Sequence, residues 1–426
     1  MFKLVLPRLA ACLLSVLTAA AYAQIAPLTP DTVGLTLAAA QARVAQRNAS
    51  LQALVYDVAA QDGVVRQAGV LPNPELSALV EDRESATRST TIQLTQPIEL
   101  GGKRGSRINA AEAERDLSRA ILHARRAELR AATSTAFYSL LAAQARLDLG
   151  DATVALARQA LDAAAGRVAA GKNSPVDATR ARVAMSGANI ELEQARGEVD
   201  NARDTLTSLW GGSAEEVNRI EGRLDQLPDV APLPVLLARL QQSPGIARAR
   251  VELQRRIALG RVEHARRAPD LALTVGSKND AQLGRRQAIF GVSLPLPLFD
   301  RNQGRVEETT QRTDQARAEL ASATGLLASE LRIAHRRVTL ARQQAGALLA
   351  DHLPAAQSVY DAARTGYEYG KFGILDVVDA QRVLLQAQAQ HVRVLADAHS
   401  AAADIERILG APGTVQFQEI HEPEYR

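Results

Sequence analysis

The side chains able to do chemistry are few and scattered in this 426-residue sequence. Seven histidines, His123, His264, His335, His352, His391, His399 and His421, stand far apart, and only His391 and His399, eight residues apart, can share a face of one helix. No HExxH accompanies them, Cys12 is the only cysteine, and Met1 and Met185 are the only methionines. Neither a zinc set nor a thioether ladder for Cu(I) can be assembled from these residues. Gly102-Lys103 is followed by Arg104 and lacks the upstream glycine spacing of a phosphate loop. No nucleophile stands with a base and a carboxylate. The pattern points away from an enzyme, a cofactor site and a metal centre, and the histidines read as solvated or helix-seam residues.

Composition points to long helices. Aromatics make up 3% of the chain, whereas Ala, Leu, Gln, Arg and Glu fill the long segments, which suits closely approaching coiled helices more than a globular core. Residues 1–23 read as a signal peptide: Lys3 and Arg8 precede an apolar run that ends at Ala21-Tyr22-Ala23. Leu9-Ala10-Ala11-Cys12 resembles a lipoprotein box, but almost no apolar run separates Arg8 from Cys12, so ordinary cleavage before Gln24 is expected. The mature chain then lacks cysteine, as suits an exported protein. Loss of Lys3 and Arg8 takes the formal charge from +3 to +1, which excludes a nucleic-acid partner on charge grounds.

The elements that organise the chain come in pairs. Thr91–Ile108 reads as an alternating strand, a Pro97 break, Gly101-Gly102 and a basic turn opening a long helix, and Ile289–Val306 echoes it with Pro297 at the place of Pro97. A helix over about 35–69 stops at a Gly-Pro-Asn-Pro cluster, and Glu75–Glu81 and Ser89–Glu99 form a hairpin with Ile92 and Leu94 on one face and Thr91, Gln93 and Thr95 on the other. From Lys103 to Ala170 the spacing predicts one helix on the order of 100 Å long. Leu140, Leu147, Val154, Leu161 and Val168 recur every seven residues in it, with Ala143, Gly150, Ala157 and Ala164 three places later. Ser174 is expected to cap the return helix, with Asp177 closing a capping box. The programme then restarts: a helix from Pro244, alternating Leu271, Leu273 and Val275, a polar loop over Lys278–Arg286, a returning strand, and a helix over about 302–369 that Pro354 should kink. Gly370-Lys371 falls 199 residues after Gly171-Lys172, and Asp376 likewise after Asp177. The domains expected are a signal peptide 1–23, a first repeat 24–212, a connector 213–243, a second repeat 244–410 and a tail 411–426.

Two hairpins give four strands, each about long enough to cross an outer membrane when tilted. Four strands cannot close a barrel, and open edges do not survive in lipid, so insertion requires several copies: two would give a filled eight-stranded barrel, three a twelve-stranded one with a lumen. A soluble hairpin cap on a coiled-coil rod is the competing reading.

The duplication of helix, hairpin, long helix, Gly-Lys turn and return helix resembles the TolC-like outer-membrane efflux family over nearly the whole mature chain. Gln96–Arg104 and Pro295–Gly304 are similar to its cobalt–zinc–cadmium (Czc-type) branch. The resemblance implies a mainly α fold with a small β part: a homotrimeric outer-membrane β-barrel, four strands per chain, continued by a periplasmic α-helical barrel. It implies a passive exit duct for divalent metal cations, partnered by outer-membrane lipid, a periplasmic adaptor and a resistance-nodulation-division pump. In the family the two turns at the tunnel tip form the entrance and the adaptor contact, here Gly171–Pro175 and Gly370–Gly373; Gly171, Lys172, Gly370 and Lys371 are the adaptor-contact candidates, with plain solvation the alternative for the two lysines. Ile374–Ala380 resembles the family's acidic entrance motif, so Asp376 and Asp379 are the candidate gate residues, with helix N-terminal stabilisation the alternative for Asp376. Where other members carry a basic residue in the second turn, this chain has Phe372 and Gly373, which puts a salt-bridge lock there in doubt. A duct for drugs or type I secreted polypeptides, and a periplasmic coiled-coil adaptor, are the remaining alternatives. The adaptor fits less well, since such proteins have one helical hairpin flanked by lipoyl-like segments.

Overall fold

A computed structural model describes residues 34–410 apart from Asn218. The expected signal peptide with Cys12, the tail 411–426 and His421 lie outside the described residues.

The first half opens with two helices where one was expected, α1 (Leu37–Arg47) and α2 (Ala49–Ala68). Asn48 makes the break: its backbone is extended, its side-chain oxygen accepts from the Leu51 N–H at 2.9 Å, and its amide donates to the Leu209 carbonyl at 2.7 Å. A capping side chain in mid-run outcompetes the helix ladder. Strands β1 (Glu75–Glu81) and β2 (Ser89–Ile98) follow, then the 67-residue α3 (Lys103–Ala169) and its return helix α4 (Pro175–Ser208). The connector holds short helical turns and α5 (Leu233–Arg239), and Leu35 bridges to Ile220 inside it. The second half repeats the order with α6 (Pro244–Ala265), β3 (Leu271–Asp280), β4 (Arg285–Ser293), α7 (Gln303–Ala347), α8 (Leu353–Glu368) and α9 (Ile374–Leu409).

All four strands form one antiparallel sheet in the order β1-β2-β3-β4, so the two hairpins fuse along β2 and β3, from Ile98 opposite Leu271 to Ser89 opposite Asp280. The expected polar loop over 278–286 shrinks to 281–284. Lys278 is strand, because on the polar face it can donate to Glu81 at 3.0 Å while its backbone pairs opposite Thr91. Register separates two faces. Leu76, Ala78 and Val80 share one with Ile92, Leu94, Leu273, Val275, Phe290 and Val292, most of them solvent-exposed in the single chain. The other carries Glu81, Ser89, Thr91, Gln93, Thr95, Thr274 and Lys278, tied by bonds such as Thr95 to Thr274 at 3.0 Å.

The motif after β2 joins sheet to helices. Gly101 and Gly102 both take left-handed backbone, and a Cβ on Gly101 would collide with Ala268. Lys103 pairs with Asp270 at 2.7 Å, Arg104 donates to the Gly69 carbonyl at 2.7 Å, and Arg107 pairs with Glu99. In the second half Asn302 holds the left-handed position instead and donates to the Glu263 carbonyl at 2.8 Å.

The core lies between helices. In α3 the small members of the heptad series, Ala143, Ala157 and Ala164, are buried; of the large series only Leu140 is fully buried. Alanine occupies the points of closest approach and the larger side chains flank it. The expected kink at Pro354 appears as a five-residue π turn, Leu348–His352, just before it. The wider turn absorbs the ladder bond that proline cannot make, so the helix continues.

Candidate functional site at the helical tips

Both tips close in the same way. Gly171 and Gly370 take left-handed backbone, at φ of 72° and 74°. The N–H groups of Gly171 and Lys172 donate to the carbonyls of Val168 and Arg167 at 3.0 and 2.9 Å, and those of Gly370 and Lys371 to Tyr367 and Gly366 at 3.0 and 2.8 Å. These are paired glycine-terminated helix ends. Lys172 and Lys371 are both exposed.

Beyond the turns the tips diverge. Ser174 caps α4 by accepting from the Val176 N–H at 3.3 Å, but the expected capping box does not close. Asp177 accepts instead from the Asn173 side chain at 3.1 Å, a donor the turn places nearer. At the second tip the N-cap residue, Gly373, has no hydroxyl, and Asp376 accepts from the Gly373 N–H at 2.8 Å, half of a capping box. Asp379 is exposed and lies 3.3 Å from Arg382, one turn on. Asp376 and Asp379 line an open groove of about 490 Å³ whose other walls are Val359, Ala362, Ala363, Phe372, Ala380 and Val383. Gly366 makes room for the Phe372 ring, which a Cβ there would strike.

A clasp joins the two tips. Arg167, near the end of α3, donates to the carbonyls of Tyr367 and of Glu368, the latter at 3.1 Å, and its guanidinium lies 4.1 Å from the centre of the Tyr367 ring. The cation thus meets the carbonyl end of α8 and an aromatic face together. Tyr367 is buried, its hydroxyl has no partner among the described residues, and burial pushes its pKa up, opposed by Arg167 and helped by Asp177. Neither residue stood out in the sequence. Aligning the repeats would have pointed to the site, since Arg167 falls opposite Gly366 and Asn173 opposite Phe372.

The family model for outer membrane efflux proteins matches residues 35–212 and 236–411. The chain belongs to the outer membrane efflux protein family. It is 43% identical over 377 residues to the cobalt-zinc-cadmium resistance protein CzcC of Cupriavidus metallidurans, covering 88% of this chain and 90% of that one. It is 29% identical over 312 residues to the nickel and cobalt resistance protein CnrC of the same species, covering 71% of this chain and 72% of the other. Among solved structures, a membrane protein from Pseudomonas aeruginosa superposes with a TM-score of 0.76 at 24% identity, over 88% of this chain and 90% of that one.

This outer membrane efflux protein therefore carries its sheet in the outer membrane and its helices as a periplasmic extension. No described helix is long and apolar enough to cross a membrane; the sheet carries an exposed apolar face. Of the described histidines, His399 has a clear structural place. His399 is buried, donates through Nε2 to the Leu224 carbonyl at 3.0 Å and stacks on Tyr138 at 3.6 Å between ring centres. Burial lowers its pKa. His391, one face down the same helix, is also lowered by burial, with Asp225 acting against the shift. His399 thus fastens the connector to α9. Among the described residues no group of three or more His, Cys, Asp or Glu is placed to hold a metal ion.

Proposed function

We propose that this efflux protein is a passive exit duct for divalent metal cations, working as a homotrimer with a periplasmic adaptor and an inner-membrane resistance-nodulation-division pump. The cargo rests on one observation, the 43% identity with a cobalt-zinc-cadmium resistance protein across nearly the full length of both chains. Trimerisation is supported by the sheet, whose β1 and β4 each leave an unpaired edge beside an exposed apolar face. Twelve strands from three copies close that edge and leave a lumen. Further support comes from stripes at seven-residue spacing that the chain does not cover itself: Val176, Val183 and Ile190 on α4, and Leu326, Ile333 and Leu340 on α7.

In the trimer Asp376 and Asp379 gather into carboxylate rings at the periplasmic entrance, favourable to a divalent cation and mutually repulsive without one. Asp376 keeps its helix-capping bond in this role. The turns at Gly171-Lys172 and Gly370-Lys371 face the adaptor. Because the cargo passes through a wide lumen, the duct needs no ligating site of its own, and drive comes from the pump.

A deletion strain tests the cargo. Tolerance to cobalt, zinc and cadmium should fall and return with the wild-type chain, while unchanged tolerance together with altered drug or polypeptide export would transfer the duct to another cargo class. Ile333→Asp should lower the trimer fraction in detergent, read by mass; a wild-type chain that is monomeric and soluble without detergent would end the duct reading altogether.

A further inference from the structure

We propose that Arg286 is a binding point for the phosphate of an outer-leaflet glycolipid. The argument begins with register. Arg286 lies opposite Asn279, which lies opposite Thr90, which lies opposite Val80. This row shares its face with Phe290 and Val292, two and three steps of two residues further along β4, and so belongs to the lipid-facing side. Arg285, its immediate neighbour, falls on the polar face with Lys278 and Glu81.

Height comes next. The hairpin loops 82–88 and 281–284 sit at the strand ends away from the helices, hence outside the cell. From Arg286 to Leu294 the chain runs about 26 Å at 3.3 Å per residue. Strand tilt shortens that span, and exposed Leu296, Leu298 and Phe299 extend the apolar band at the periplasmic end to the ~25 Å such barrels present. Arg286 therefore stands at the outer boundary of the band, where acyl chains give way to headgroups.

Chemistry selects the occupant. Arg286 is exposed, and among the described residues its guanidinium has no ion pair or hydrogen bond. A charge on a lipid-facing surface is unfavourable at the midplane and tolerated only near an interface. There its planar fork matches a phosphate bidentately. Asn279 and Thr90, beside it in the row, add neutral hydrogen-bonding groups suited to a sugar. Phosphorylated glucosamine, the headgroup of the outer leaflet, offers both.

The test uses the full-length protein purified in a mild detergent, with lipid A and dephosphorylated lipid A as probes and native mass spectrometry as the readout. Arg286→Gln should weaken lipid A retention about fivefold. Arg285→Gln, which removes the same charge from the other face, should leave it unchanged, and dephosphorylated lipid A should bind wild type no better than lipid A binds Arg286→Gln. Equal loss in both variants, no loss in Arg286→Gln, or displacement by inorganic phosphate would overturn the proposal. Outer-membrane fractionation of each variant separates this result from the duct reading: a properly inserted Arg286→Gln that binds normally sinks only the lipid contact.

Discussion

The two tips share a backbone and differ in nearly every side chain that matters. Each ends in a left-handed glycine with the same pair of carbonyl bonds and a lysine after it. On that common frame the first tip carries Arg167, Asn173 and Ser174, and the second carries Gly366, Phe372 and Gly373. The first supplies a cation that reaches across; the second supplies the carbonyls and ring that receive it, and a glycine that lets Phe372 fold into the groove beside Asp376. Two like hairpins would meet symmetrically. These two meet as donor and acceptor.

The same contrast of like backbone and unlike side chains at the other end of the long helices gives the largest expected effect. Gly101→Ala combines a left-handed backbone with a collision against Ala268 and should cost about 2–5 kcal/mol in chemical denaturation of the assembled protein. Gly102→Ala, with open space around it, should cost about 1 kcal/mol. If both substitutions cost the same, close approach to α6 is not what the first glycine provides.

The clasp comes second. Arg167→Ala should lower local stability by about 1.5–3 kcal/mol through the loss of charged hydrogen bonds, seen as faster amide exchange over residues 366–372 and a larger single-channel conductance. An unchanged conductance with faster exchange would make the contact purely structural. Ser174→Ala should cost about 1 kcal/mol at the first tip, whereas Asp376→Ala removes the capping bond at the second and should also reduce cation preference in planar bilayers. A shift in selectivity from Ser174→Ala would blur the distinction between the tips.

The smallest effect is a pH dependence. Burial depresses the His399 pKa, so its neutral ring contributes stability that is fully present above about 6.5 and is lost as pH falls through the lower folded value. Glu406 has the opposite sign: burial raises its pKa, so its contribution is present at low pH and lost as pH rises through the folded value. His399→Phe keeps a ring on Tyr138 and removes the titration. The fall in Tm between about pH 7.5 and about pH 5.5 should shrink by about 1–2 °C relative to wild type. A steeper fall in the variant would show that His399 is not the acid-sensitive group.

Much of this was legible in the chain. Period-two alternation at Ile92, Leu94, Val275 and Phe290 placed the strands and their apolar face, and seven-residue recurrence placed the seam of α3. The breaks were harder. Asn48 interrupts a good helical pattern because its partner, the Leu209 carbonyl, is 161 residues away. Arg167 was invisible for the same reason, since its worth depends on α3 and α8 ending side by side. The stripes at Val183 and Ile333 carry the same periodicity as the buried seams, and nothing in one chain's letters says which stripe is kept for its own fold and which for another copy. Ser174 was found as a cap, but Asp177 took a nearer donor than the one its spacing suggested.

The π turn at Leu348–His352 has a consequence for the whole shaft below it. Above the turn the buried positions step by seven, through Ala334, Ala341 and Leu348; below it they resume at Ala356 and Ala363, having stepped once by eight. One surplus residue is worth about 100° of rotation, which the widened turn spreads out so that both lengths present their small residues to α9. Removing a single residue here would join the two phases into one and swing Tyr367, the receiver of Arg167, away from its partner. The bulge therefore sets the angular timing between the two tips, much as a key fixes a gear on its axle.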